Sequence, residues 1–259
     1  MIIVTGHKRS GTSLMMQMLD KAGFITIGEK FPEAWDKKMY GKNKEGFFES
    51  KFIDQGVNNS TSPFTHRDDT ELSAVKVFTP GLLKTDFHYI TKVIVMVRDW
   101  REQVESLKKL YKVSSDGVNK YPDGYEYFFA YKNFLDDFLK RGYETCIIDY
   151  NDLLQNPEEN CERLKSFFGV GRWDLAKNQV KDKLNTVKDK VAKSGNHKLN
   201  PDVEDSFAEM LDKLYNAIKS GTIDEPMQEQ ILAWAQSLKP TVDKINEEYT
   251  AKKLAESAK

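Results

Sequence analysis

The residues best suited to chemistry stand near the start of the chain, in the run Gly6-His7-Lys8-Arg9-Ser10-Gly11-Thr12-Ser13. The two glycines and the closing hydroxyl fit the phosphate-binding pattern G-x-x-x-x-G-K-[ST], except that Thr12 stands where the lysine belongs. A loop of this kind ahead of a helix offers successive backbone N–H groups and the positive end of the helix dipole to an anion. Ser10, Thr12 and Ser13 add hydroxyl donors, Gly11 permits close approach, and the cation must come from Lys8 or Arg9. A second group follows the apolar run 92–97: Arg98 ends that run, and Ser106 lies in the helical pattern behind it, "RDWREQVESLKKL". Arginine grips phosphate through paired charge-assisted hydrogen bonds, and Ser106 could reach the same anion from the helix. Together the two groups predict a pair of anion pockets.

Buried parallel strands have to position such groups, because ligands of open α/β sheets bind outside the carboxyl ends of the strands. Four short runs rich in β-branched residues read as such strands: 2–6, 73–78, 92–97 and 145–150, with 24–28 as a possible fifth. Helical patterns alternate with them. The first spans 12–22, with Leu14, Met15, Met18 and Leu19 at helical spacing and a stop at Gly23. Others run from Trp100 to Tyr111 and from Asn156 to Phe168, the latter stopping at Gly169. The expected fold class is α/β: a three-layer, P-loop-NTPase-like arrangement with a central, mostly parallel sheet flanked by helices. The stretch 112–124 reads as a loop and leads into "YEYFFAYKNFLDDFL", whose aromatic residues at helical spacing read first as a helix packed on the sheet and second as a substrate-binding wall. Beyond Arg172 the chain turns lysine-rich and helical without strand signals, and its tail reads as a solvated helix or frayed end.

Length and charge narrow the possibilities. A chain of 259 residues suits one domain, with core motifs in 1–170 and a helical C-terminal part at about 175–259. Lysine plus arginine (39) balance aspartate plus glutamate (40), so nothing points to a general binder of nucleic acid or membrane surfaces. Cys146 and Cys161 form no disulfide framework and no metal spacing. With no signal-peptide pattern and no apolar run long enough for a membrane span, a soluble cytoplasmic protein is expected.

These residues resemble those of sulfotransferases that use 3′-phosphoadenosine 5′-phosphosulfate (PAPS). "GHKRSGTS" looks like the lysine-less 5′-phosphosulfate loop of that family, and Arg98 with Ser106 matches its 3′-phosphate motif, an arginine followed eight positions later by serine. "KEGFFES" (44–50) is similar to a segment of bacterial members, and 149–170 resembles the family's Y-E-D-L-L run, in which Leu153, Leu154, Leu164 and Phe167 would pack and Pro157 would open a helix. The resemblance covers roughly 1–170 and implies in-line transfer of a sulfuryl group to an acceptor hydroxyl or amine, leaving adenosine 3′,5′-bisphosphate and requiring no metal. Lys8, Arg9, Ser10, Gly11, Thr12, Ser13, Arg98 and Ser106 would bind the nucleotide, Arg9 would also stabilise charge in the transition state, and Lys76 would stand near the transferred group. Family members often close over the nucleotide with C-terminal basic residues, a role open to Lys190, Lys193 or Lys198.

The chain departs from its relatives at the general base. Cytosolic members carry histidine two residues after the lysine, where this chain has Phe78; Glu49 is the first candidate instead, Glu29 the second and His7 a distant third. Two other functions compete: a small-molecule kinase of the P-loop type, for which Asp149 is the best acidic strand-end residue, and a nucleotide-binding module without catalysis. The acceptor and the oligomeric state are not legible.

Overall fold

The computed structural model describes residues 1–31, 45–61, 70–111, 121–181 and 203–257. Five strands form one sheet: β1 (Ile2–Thr5), β2 (Ile25–Ile27), β3 (Ser73–Lys76), β4 (Lys92–Val97) and β5 (Thr145–Asp149), in the order β2-β3-β1-β4-β5. All four strand pairings of this sheet are parallel, with Val4 opposite both Lys76 and Ile94. Period-two alternation sends successive side chains to opposite faces, and both faces are apolar, as a sheet covered on both sides requires.

One face, carrying Ile3, Val75, Val93, Val95 and Val97, packs against α5 (Tyr125–Arg141) and α9 (Asp205–Ser220), with Ile231 and Leu238 of α10 (Glu225–Ser257) in the same cluster. The other, carrying Ile2, Val4, Ala74, Ile94, Met96 and Ile148, packs against α1 (Thr12–Ala22), α7 (Pro157–Phe168) and α8 (Trp173–Ala176). This is the α/β, three-layer architecture that the alternation of strand and helix patterns predicts. The aromatic helix is core: Tyr127, Phe128, Tyr131, Phe134 and Leu135 are all buried.

Among the described residues three further short helices sit between the larger ones: α2 (Phe52–Gln55), α3 (Thr79–Leu83) and α6 (Tyr150–Gln155). Between β4 and α5 lies α4 (Trp100–Tyr111), whose Trp100 and Arg101 both bond Asp212 of α9 and so tie the C-terminal helices to the sheet. Pro157 opens α7, its missing N–H falling where a helix has no internal partner, and Gly169 closes it in the left-handed conformation. The strand order reverses at β1, which lies between β3 and β4. A crevice at the carboxyl end of β1 is therefore the expected ligand position of this topology.

Candidate active site

The loop from Gly6 to Ser13 fills that position. Gly6 (φ 140°) and Gly11 (φ 106°) occupy conformations that favour glycine, and a Cβ on Gly11 would stand 2.5 Å from Cδ2 of Tyr150. Gly11 flanks α1 without any side-chain cap, and the first turn of α1 carries no acidic residue. Its N–H groups and dipole are left for an anion from outside the helix.

Two side chains from the β4–α4 region fix the loop. Gln103 Nε2 donates to the carbonyl of Lys8 at 2.6 Å, and Arg98 Nη1 donates to the carbonyl of Arg9 at 3.3 Å. Between these holds Arg9 adopts a left-handed backbone (φ 69°), uncommon for a residue with a side chain. Arg9 then turns its own side chain outward, Nε donating to Ser106 Oγ at 2.9 Å. Arg9 thus links the loop to the second group, so the residues of the two expected anion pockets lie side by side. Although Arg9 keeps an exposed surface, the protein around its guanidinium, and after that the charge of Arg98, lower its pKa. Two arginines held this close favour an anionic ligand between or beside them.

Arg98 is itself buried, with its guanidinium 4.5 Å from the centre of the Tyr150 ring and its Nε and Nη2 on Glu102 Oε2 at 3.1 and 3.0 Å. The aromatic helix sets the backbone beneath it: Tyr127 OH donates to the carbonyl of Arg98 at 3.3 Å and Tyr131 OH to that of Met96 at 2.8 Å.

A third cluster stands where β3 ends. Lys76 is 1 % exposed, and its ammonium donates to Glu49 Oε1, to the carbonyl of Phe47 at 2.5 Å and to Ser13 Oγ at 3.3 Å. Burial lowers the Lys76 pKa and outweighs the opposing pull of Glu49. The segment carrying Glu49 is held on both sides. Gln17 of α1 donates to the carbonyl of Gly46 at 2.8 Å, while Glu29 and Glu49 exchange backbone hydrogen bonds of 2.6 and 3.0 Å as an isolated antiparallel bridge. Between them Phe48 is held at φ 55°. The bridge brings the backbones of the two candidate bases together, and Glu49 is the one whose carboxylate is bonded to Lys76.

The structure therefore brings together Arg9, Ser106 and Arg98 at one end of the loop, and Ser13, Lys76 and Glu49 at the other. Ser10 and Thr12 are buried inside the loop, Lys8 is half-buried, and Glu29 is exposed. His7, the third base candidate, lies with Nε2 3.5 Å from Glu126 Oε2 on α5. Asp149 accepts from the backbone N–H of Asp152 at 2.8 Å and from Tyr215 OH at 2.6 Å, and lies 3.4 Å from the Lys219 ammonium. Lys190, Lys193 and Lys198 lie outside the described residues.

Sequence reasoning missed Glu102, Gln103, Gln17 and Tyr150. The Arg98–Glu102 spacing of four, an arginine just ahead of a helix and a carboxylate in its first turn, was a readable signal. The glutamine clamps reach across 95 and 29 residues and left none. Among the described residues no three His, Cys, Asp or Glu side chains cluster as a metal site, and no helix is long and apolar enough to cross a membrane.

No family model and no curated protein matches the chain. Among solved structures it is similar to a sulfotransferase domain from the Synechococcus PCC 7002 olefin synthase, with 16 % identity, 92 % of this chain and 94 % of that one covered, and a TM-score of 0.45. It is also similar to retinol dehydratase, solved in complex with androsterone and the inactive cofactor PAP, with 15 % identity, coverage of 92 % and 80 %, and a TM-score of 0.41.

Proposed function

We propose that this protein is a sulfotransferase that moves a sulfuryl group from PAPS to a hydroxyl or amine of an acceptor. The observation that carries the proposal is the junction of Arg9 and Ser106, 2.9 Å apart across 97 residues of sequence. It joins the lysine-less loop to the arginine–serine pair, the two motifs that resemble the family's 5′ and 3′ sites. A nucleotide with phosphate groups at both positions needs such a double anion site, whereas a nucleoside triphosphate needs a single continuous cradle.

The residues present fit that donor. The uncapped start of α1 offers N–H groups, Gly11 leaves room that a Cβ would fill, and Arg9, Arg98 and Ser106 supply charge-assisted and neutral donors. Bound there, the donor would supply an activated sulfuryl group with a phosphate leaving group. Arg9, Ser10, Thr12 and Ser13 would hold its 5′ end, and Arg98 and Ser106 its 3′-phosphate. Lys76 and the loop N–H groups would stabilise the charge that grows on the leaving oxygen. Glu49 would accept the acceptor's proton, with the bridge to Glu29 and the clamp from Gln17 fixing its backbone.

The test is transfer of labelled sulfate from PAPS to a panel of sugars, lipids, small alcohols, amines and peptides. Turnover on at least one of them is expected, reduced about 10²–10⁴-fold in Glu49→Gln with nucleotide affinity nearly intact. Bisphosphate binding without transfer to any acceptor would favour a silent binding module. Unchanged turnover in Glu49→Gln would remove that residue from the mechanism.

A further inference from the structure

We infer that Glu102 sets how tightly the 3′-phosphate is held, and thereby how fast the spent nucleotide leaves; this rests on the function proposed above. Glu102 and Ser106 are four apart on α4 and so share one face of the helix. The carboxylate therefore stands on the same face as the serine that would take the phosphate, and it already occupies Arg98 through Oε2, accepting from Nε and Nη2 at 3.1 and 3.0 Å. An arriving phosphate competes for those same N–H groups and meets the carboxylate's negative charge.

Arg98 does not need Glu102 to keep its place. The carbonyl of Arg9, the ring of Tyr150 and the tyrosine bond to its own carbonyl hold it from three other directions. Glu102 in turn has a second partner, since Oε1 accepts from Asn151 Nδ2 at 3.2 Å. The arrangement reads as an exchange: the carboxylate rests on Arg98 when the site is empty and leans on Asn151 when an anion takes Arg98. Donor and product share the 3′-phosphate, so affinity for it is uniform binding that adds nothing to the chemical step and delays product departure. A resident carboxylate beside two arginines offsets one of their two charges and keeps that affinity in check.

The experiment measures affinity and displacement kinetics of adenosine 3′,5′-bisphosphate, with adenosine 5′-phosphate in parallel, on wild type, Glu102→Gln and Asn151→Ala, each checked for folding by thermal melt. In Glu102→Gln the bisphosphate is expected to bind on the order of tenfold tighter and to dissociate correspondingly more slowly, as removal of one nearby unit charge allows. The 5′-phosphate, which lacks the group in question, should change less. Asn151→Ala should weaken the bisphosphate several-fold, because Glu102 loses its alternative partner; this variant carries the test alone if Glu102→Gln does not fold. Unchanged or weaker bisphosphate binding in Glu102→Gln, equal gains for both nucleotides, or tighter binding in Asn151→Ala would overturn the inference while leaving the proposed function standing. No bisphosphate binding to wild type would remove both.

Discussion

Lys76, Arg98 and Asp149 each stand at or just beyond the carboxyl end of a strand, yet the two beside β1 differ from the one on the outer strand. Asp149 spends its side chain on the fold: one oxygen caps α6, the other accepts from Tyr215, and Lys219 balances the charge. Lys76 and Arg98 bond instead to the loop and the segment that faces it, at Ser13, Phe47, Glu49 and Arg9. A charged residue ending a strand is therefore weak evidence of chemistry. Its partners decide, and in this molecule the strands flanking the reversal point carry the charge that a ligand would meet.

The contrast can be broken at the loop. Gly11→Ala would place a Cβ in contact with Tyr150 at a backbone angle of 106°, costing about 1–3 kcal/mol of strain and deforming the loop proposed to cradle the anion. Bisphosphate affinity should fall by at least about 10²-fold, of the order a lost charge-stabilising array costs, in a titration paired with a thermal melt. Retained affinity would mean that the loop is not the cradle.

Lys76→Met is expected to lower turnover by about 10²-fold or more and also to cost stability, because it leaves the largely buried Glu49 carboxylate without its ion-pair partner. Burial lowers the Lys76 pKa from its usual 10.5, so the folded protein sheds this proton at lower pH than the unfolded chain. The cost of burying the ammonium is then full below the folded pKa and fades as pH rises toward 10.5. Wild type should accordingly gain stability relative to the methionine variant as pH rises through that window. Melts of both proteins across alkaline pH check the sign; a wild type that loses stability relative to the methionine variant over that window would contradict it.

The smallest effect on binding is expected at the outer strand. Asp149→Ala should cost about 1–3 kcal/mol of stability through the lost cap and the orphaned Tyr215 hydroxyl. Bisphosphate affinity should stay within a few-fold, as read by the same titration. A large, magnesium-dependent change in nucleotide binding would restore the kinase reading of this residue.

Much of the fold was legible because it is written in local periods. β-branched runs mark β1, β3, β4 and β5, and Gly23 and Gly169 end α1 and α7 where the pattern stops. Strand runs at 2–6, 73–78 and 145–150 end one or two residues earlier in the structure, since Gly6 turns the chain and Tyr150 already begins α6. The expected mostly parallel sheet is parallel at every one of its strand pairings, and among the described residues the antiparallel contact is confined to the Glu29–Glu49 bridge. The charged residues of the candidate site stand out in the sequence, and what positions them does not. Gln103 and Gln17 carry no local pattern, and the bond between Asp149 and Tyr215 spans 66 residues. Such contacts exist only once the sheet has assembled. The aromatic run of α5 also resolved in favour of packing, with Tyr127 and Tyr131 serving the site through the backbone of β4.

The most direct test is calorimetric titration with adenosine 3′,5′-bisphosphate, alongside ATP with magnesium, on wild type and Arg98→Ala. The bisphosphate should bind in preference to magnesium ATP, and the alanine variant should lose at least about tenfold in affinity, the cost of a charge-assisted pair. Absence of bisphosphate binding, or a preference for magnesium ATP that Arg98→Ala leaves untouched, would contradict the assignment of these two anion pockets to a sulfated nucleotide.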